Sequence, residues 1–176
     1  MVTISFSSTK SGANRTEADV QKECWTHLST VQIRCFEDLT PIRTLQEFSY
    51  MVPNGTQLAG GRTRRAQYMA SLKAQGFRPG VSDLVVALPM NGYSGAYIEL
   101  KKEPESYGGP KAIKSRRTAI RPEQRDWLEL MFNHGYWASI AWGTEDFKRL
   151  VGLFLAGESP PPLDWDCRVG DTDSAQ

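Results

Sequence analysis

Histidine and cysteine are scarce in this 176-residue chain, with 2 and 3 respectively. Cys24, Cys35 and Cys167 are an odd, scattered trio without a C-x-x-C pair, which argues against a disulfide scaffold and against a zinc knuckle. Such usage suits a reducing cytoplasm, that of the host cell if the chain is viral. His27 and His134 leave a His-based hydrolase or a zinc protease little to work with, and both read as structural. No run approaches the roughly 18 apolar residues that would span a bilayer, so no membrane association is expected. The segment 1–17 lacks a basic start followed by an apolar stretch, so no secretory signal is expected either.

What is present is ordinary in amount and uneven in placement. Hydrophobic residues make up 40% and charged residues 23%, which is enough apolar surface for one folded domain. The net charge of +1 hides a division: residues 60–125 hold 13 basic and 5 acidic side chains, +8, and the remainder holds 8 and 15, −7. A basic middle in a neutral chain can present one positive surface to a polyanion, and a solvated face of mixed sign would have the same composition.

The pattern along the chain divides it into a polar leader (1–15), a domain (16–156) and an acidic, proline-rich tail (157–176). Thr16 can cap a helix that begins at Glu17, with Val20, Cys24, Leu28 and Val31 at helical spacing. Phe48, Tyr50 and Val52 alternate like a short strand before a turn at Pro53-Asn54-Gly55. Arg62 to Gln75 reads as a helix with Ala66, Met69 and Leu72 inward, closed by Gly76. Asp83 to Leu88 and Ala96 to Lys101 read as a hairpin around Asn91-Gly92. Pro122 starts a helix to Asn133, Trp137 to Trp142 is a further strand, and Thr144 caps a last helix whose Phe147, Leu150, Val151 and Phe154 face inward. The expected fold is α/β, a mixed sheet flanked by helices.

Three residues invite chemistry. Asp83 opens one strand, and Glu99 and Lys101 lie two apart on its partner, so their side chains share a face while Ile98 and Leu100 face the core. Paired carboxylates are the ligands that Mg²⁺ or Mn²⁺ prefers, and a neighbouring lysine can orient water or stabilise charge on a phosphodiester. A Glu99–Lys101 ion pair on an edge strand would explain the same spacing without any chemistry. Likewise, the glycines at 55, 60 and 61 ahead of Arg62 form either a phosphate cradle or a plain loop. The basic run from Lys111 to Arg121 is either a solvated loop or a flap that grips DNA. Trp25, Trp127, Trp137 and Trp142 read as core residues rather than base-stacking platforms.

The order of motifs adds to this. Pro53-Asn54-Gly55, then Arg62 to Lys73, then Gly76-Phe-Arg-Pro-Gly80-Val-Ser-Asp83-Leu, then Tyr97-Ile-Glu99-Leu-Lys101, then Glu123-Gln124-Arg-Asp-Trp127, then His134-Gly135-Tyr136 resembles the VRR-NUC family. These are virus-type replication-repair nucleases of the PD-(D/E)xK superfamily, whose small stand-alone members are common in bacteriophages. The resemblance spans residues 17–155 and implies a restriction-endonuclease-like core in the order α-β-β-β-α-β-α.

The resemblance further implies a metal-dependent DNA endonuclease using Mg²⁺ or Mn²⁺, without a nucleotide cofactor. Asp83 and Glu99 fall on the family's metal ligands, with the Leu100 carbonyl as a further ligand. Lys101 falls on the motif lysine and Gln124 on the glutamine that opens the following helix. An acidic residue of the first helix completes the set: Glu17, in the pattern Glu17-x-x-x-Gln21, is the first choice, ahead of Glu23 and Glu47. Asn54, Arg62, Arg64, Arg65, Lys111, Lys114, Arg116, Arg117 and Arg121 are the expected DNA contacts. Stand-alone relatives are homodimers that handle duplex or branched DNA, which implies four-way junctions or flaps as substrates, in replication, repair or recombination. One departure is visible: Ser82 stands where the family usually has proline. A DNA-binding module that does not cut, or an interaction protein acting through the acidic tail, remain alternatives from other classes.

Overall fold

The computed structural model describes residues 15–33, 42–52, 62–109 and 113–163. Asn54, Lys111, the turn at 53–55, the leader up to residue 14 and the tail beyond residue 163 lie outside the described residues, as do the side chains of Arg62, Arg65 and Lys114.

Thr16 sets the first helix, α1 (Glu17–Leu28), by a reciprocal cap. Its hydroxyl accepts the Asp19 N–H at 3.2 Å, and the Asp19 carboxylate accepts the Thr16 N–H at 2.9 Å. Val20, Cys24 and Leu28, four apart, form the buried stripe. Val31 was expected to extend that stripe, but the helix ends at Leu28, where the Ser29 and Thr30 hydroxyls bond back to the carbonyls of Thr26 and His27. A two-residue ladder, β1 (Gln32–Ile33) with β2 (Arg43–Thr44), follows. A 3-10 turn, Leu45–Phe48, leads into β3 (Ser49–Met51). Phe48 therefore closes a turn instead of starting the strand, which corrects the expected alternation.

Helix α2 (Arg62–Ala74) is the element the sequence pattern describes least well. Ala66 is exposed and Met69 and Leu72 are only half-buried, so the expected inward stripe is not a core face. Ala66, Met69 and Leu72 supply one apolar side chain per turn, the first of them only a methyl group, which is too narrow a stripe to bury.

Strands β4 (Leu84–Val86) and β5 (Ala96–Lys101) form the expected hairpin. Its tip is a two-residue turn in which Asn91 (φ 54°) and Gly92 (φ 86°) both take left-handed φ and Met90 and Tyr93 exchange backbone hydrogen bonds. A 3-10 turn (Pro104–Tyr107) and α3 (Ile113–Thr118) then lead to α4 (Pro122–Asn133), β6 (Trp137–Trp142) and α5 (Thr144–Ala156). The sheet order is β3-β4-β5-β6, antiparallel except for the parallel pair β5-β6 that α4 connects. Elements α1, β3, β4, β5, α4, β6 and α5 reproduce the expected α-β-β-β-α-β-α order.

The layers follow from the two faces of β5. Ile98 and Leu100 join Val20, Cys24 and Leu28 of α1 and Phe147, Leu150 and Phe154 of α5 in the core. Tyr97, Glu99 and Lys101 lie on the opposite face, towards α4. Thr144 does not cap α5 as expected. Gly143 holds the cap position, and the Thr144 hydroxyl donates to Glu23 at 2.9 Å and accepts from Arg15 at 3.1 Å. The start of the tail is packed: the Trp137 indole donates to the Glu158 carbonyl at 3.0 Å. Among the described residues, no helix is long and apolar enough to cross a membrane.

Candidate functional site

Asp83 stands one residue before β4, where the chain enters the sheet from the Gly80 bend. Its carbonyl accepts the Val52 N–H at 2.8 Å, and its Oδ2 accepts the Leu100 N–H at 3.0 Å. The carboxylate therefore takes the ladder position that a further β4 residue would have filled. A strand residue aims its N–H and C=O to the same edge, so the Leu100 carbonyl also points towards Asp83. Because Leu84 pairs with Ile98, Asp83 lies opposite Glu99 on the same face.

Asp83, Glu99, Lys101 and Gln124 are all buried, each at or below 5% exposure. The Lys101 ammonium is 2.9 Å from Glu99 Oε1 and 3.4 Å from Gln124 Oε1. The Gln124 amide nitrogen donates to the same Glu99 oxygen, and its carbonyl oxygen also accepts the Arg121 N–H at 3.0 Å. Gln124 is thus fixed by the first turn of α4 on one side and by Glu99 and Lys101 on the other. The other Glu99 oxygen, Oε2, is buried and receives no hydrogen bond. Burial, and then the adjacent Asp83 carboxylate, push the Glu99 carboxyl up to about 8, against the pull of Lys101. Two adjacent buried carboxyl groups, one of them with an oxygen that accepts no donor, favour a positive charge beyond that of Lys101. A hard cation fits such a donor set.

Glu17 lies elsewhere. It is exposed at the start of α1 and lines an open cleft of about 680 Å³ with Arg15, Thr16, Lys102, Ser106 and Tyr107. Among the described residues, no three His, Cys, Asp or Glu side chains gather closely enough to hold a metal, so the structure does not bring Glu17 to Asp83 and Glu99. Glu23 pairs with Arg15, whose other nitrogen is 2.5 Å from Glu103. This network ties the starts of α1 and α5 to the segment after β5, and nothing in the sequence pattern marked it. Glu47 pairs with Arg43 at 2.9 Å on the surface.

The basic residues divide. Arg64, Arg117 and Arg121 are exposed, as a backbone contact requires. Arg116 is not: it is fully buried, with its guanidinium 5.6 Å from the centre of the Trp142 ring. The short α3 turns Arg116 inward onto the end of β6, which removes it from the expected DNA contacts.

Aromatic residues crowd the same sheet face. Tyr97 meets Trp127 at 5.6 Å and Tyr136 at 5.2 Å, both edge-to-face, and Arg78 lies 5.1 Å over the Trp127 ring. Trp127 was expected to be core, but it is only half-buried.

No protein-family model matches the chain, and no curated protein matches it. Among solved structures it is similar to a VRR_NUC domain protein, with a TM-score of 0.57 and 20% identity over 84% of this chain and 93% of that one. The mixed four-stranded sheet with its flanking helices is thus the fold of that VRR_NUC domain protein.

Proposed function

We propose that the protein is a metal-dependent endonuclease of the PD-(D/E)xK type that hydrolyses DNA phosphodiester bonds. The observation that carries this reading is Glu99 Oε2, buried without a donor on the face shared with Asp83. Asp83, Glu99 and the Leu100 carbonyl would hold Mg²⁺ or Mn²⁺, which supplies charge neutralisation at the phosphate and a more acidic bound water. Lys101, already held between Glu99 and Gln124, orients the attacking water and stabilises developing negative charge. Gln124 positions Lys101 and accepts no proton. Glu17, from its own cleft, would reach the metal through water. In-line attack leaves 5′-phosphate and 3′-hydroxyl ends. Arg64, Arg117 and Arg121 lie exposed to hold the phosphate backbone. The phage setting, the homodimer and action on branched DNA belong to this same reading and rest on the family resemblance.

The test is cleavage. Labelled linear duplex, single strand, flap and four-way junction are incubated with Mg²⁺, Mn²⁺ or EDTA, beside Lys101→Ala. Metal-dependent cutting that Lys101→Ala abolishes is the expected result. Binding without cutting under either metal overturns the reading in favour of a non-cutting DNA-binding module.

A further inference from the structure

The face of the sheet that carries Asp83 and Glu99 continues into an aromatic shelf that the hydrolytic reading does not use. The register places Tyr50, Val85, Tyr97 and Ala138 in one row across the four strands. Asp83 and Glu99 form the next row on the same face, two residues or roughly 7 Å along the strands. Helix α4 covers only the β5-β6 half of this face, with Leu128 buried beneath it. Over β3 the row ends in Tyr50, which is 52% exposed.

Two strands further along the row, past Val85, stands Tyr97. Tyr97 is held edge-to-face by Trp127 and Tyr136. Arg78, exposed, lies across Trp127 and adds a positive charge at the rim, and the exposed Arg64 and Lys73 of α2 belong to the same basic stretch of chain. An exposed tyrosine on the same face as a fixed aromatic cluster and its arginine, one row from the proposed phosphodiester site, has the composition that unpaired nucleobases recognise: π-faces for the base and cations for its backbone.

We infer that Tyr50, on the sheet face that carries the Tyr97–Trp127 cluster and Arg78, is a stacking site for an unpaired nucleobase next to the phosphodiester held at Asp83 and Glu99. The inference rests on the nuclease reading for its location and adds a substrate class: nucleic acid with at least one unstacked base beside the cleaved bond. An intact duplex hides its base faces, so it cannot use the shelf without opening.

The experiment reads binding without metal, so that it does not depend on cutting. Single-stranded oligonucleotides carrying 2-aminopurine are titrated with protein in EDTA, alongside an unlabelled duplex competitor. Stacking is expected to quench the fluorophore, Tyr50→Ala to weaken binding about tenfold and remove the quench, and Tyr50→Phe to keep both. Arg78→Ala should weaken binding while the quench at saturation remains. Sedimentation of Tyr50→Ala is run in parallel. The inference is overturned if Tyr50→Ala binds as the parent does, if no quench occurs at saturation, or if the substitution instead dissociates a dimer, which would make the shelf a contact between copies. The two readings fail separately. Loss of cutting in Lys101→Ala with unchanged binding by Tyr50→Ala keeps the nuclease and removes the shelf. A Tyr50-dependent quench in a protein that cuts nothing does the reverse.

Discussion

Gln124 Oε1 lies 3.4 Å from the Lys101 ammonium, and the same amide donates to Glu99 and takes the Arg121 N–H. The first turn of α4 therefore helps to aim the lysine, which Glu99 holds from its other side at 2.9 Å. Gln124→Met, which keeps the volume and removes both amide functions, should lower the cleavage rate about 10–100-fold, the usual effect of losing a group that orients a reacting one. Single-turnover rates at saturating DNA check this, since substrate affinity should change far less than the rate.

Glu99 supplies a pH dependence whose sign follows from its raised pKa of about 8. A carboxyl above its unfolded value of 4.5 binds its proton more tightly in the fold, so its contribution to stability is complete below about 4.5 and is lost as pH rises through about 8. A cation at the site must displace that proton. Metal affinity, read by titration in the absence of DNA, should therefore rise about tenfold per pH unit below about 8 and level off above. Glu99→Gln should abolish metal binding and flatten the stability profile over the same window.

Where the sequence was legible, one period decided the outcome. Residues 96–101 alternate across a strand buried on both faces, and Val20, Cys24 and Leu28 repeat at helical spacing, so β5 and most of α1 could be read directly. The face shared by Asp83, Glu99 and Lys101 followed from counting by two. The Arg15–Glu23–Glu103–Thr144 network was not legible because it joins residues up to 129 positions apart without any periodicity. The tyrosine shelf was hidden for a related reason: strand register, which no local pattern in β3 specifies, sets Tyr50 in line with Tyr97. Arginine 116 misled because a run of basic residues has no visible inner face until α3 is packed against Trp142.

That burial separates Arg116 from its neighbours experimentally. Arg116→Ala should destabilise the fold by about 2 kcal/mol or more, by removing a large buried side chain from the Trp142 ring. Arg117→Ala and Arg121→Ala, both at exposed positions, should lower the melting temperature much less than Arg116→Ala does. Each should instead reduce the slope of log binding constant against log salt by about 1 if it contacts a phosphate. Thermal melts and binding at several salt concentrations distinguish the two behaviours.

Cys24 is fully buried in the stripe that α1 presents to the core, and burial is the main cause of a thiol pKa raised to about 12. The thiolate is the reactive form, so Cys24 should resist alkylation at neutral pH in the native protein and react once denaturant unfolds it. Peptide mapping after iodoacetamide treatment assigns the label to Cys24 rather than to Cys35 or Cys167. Labelling of Cys24 under native conditions at a rate comparable to a free thiol would show that α1 opens readily.

Gly80 governs how Asp83 meets α4. Its φ of 90° lies in the left-handed region, and a Cβ there would fall well inside van der Waals contact distance of the Glu123 carbonyl oxygen. Glu123 immediately precedes Gln124, so the loop that carries Asp83 and the turn that carries Gln124 touch at this glycine. Gly80→Ala forces them apart. It should cost about 1–3 kcal/mol of stability from the strained backbone and the contact together. It should also lower cleavage more than stability alone explains, because Asp83 and Gln124 would separate on either side of Glu99. Rates measured well below the melting temperature of the variant isolate that second effect. Equal loss in a substitution at Gly76, which has the same left-handed φ but no neighbour within 4 Å, would attribute the effect to backbone strain rather than to the contact.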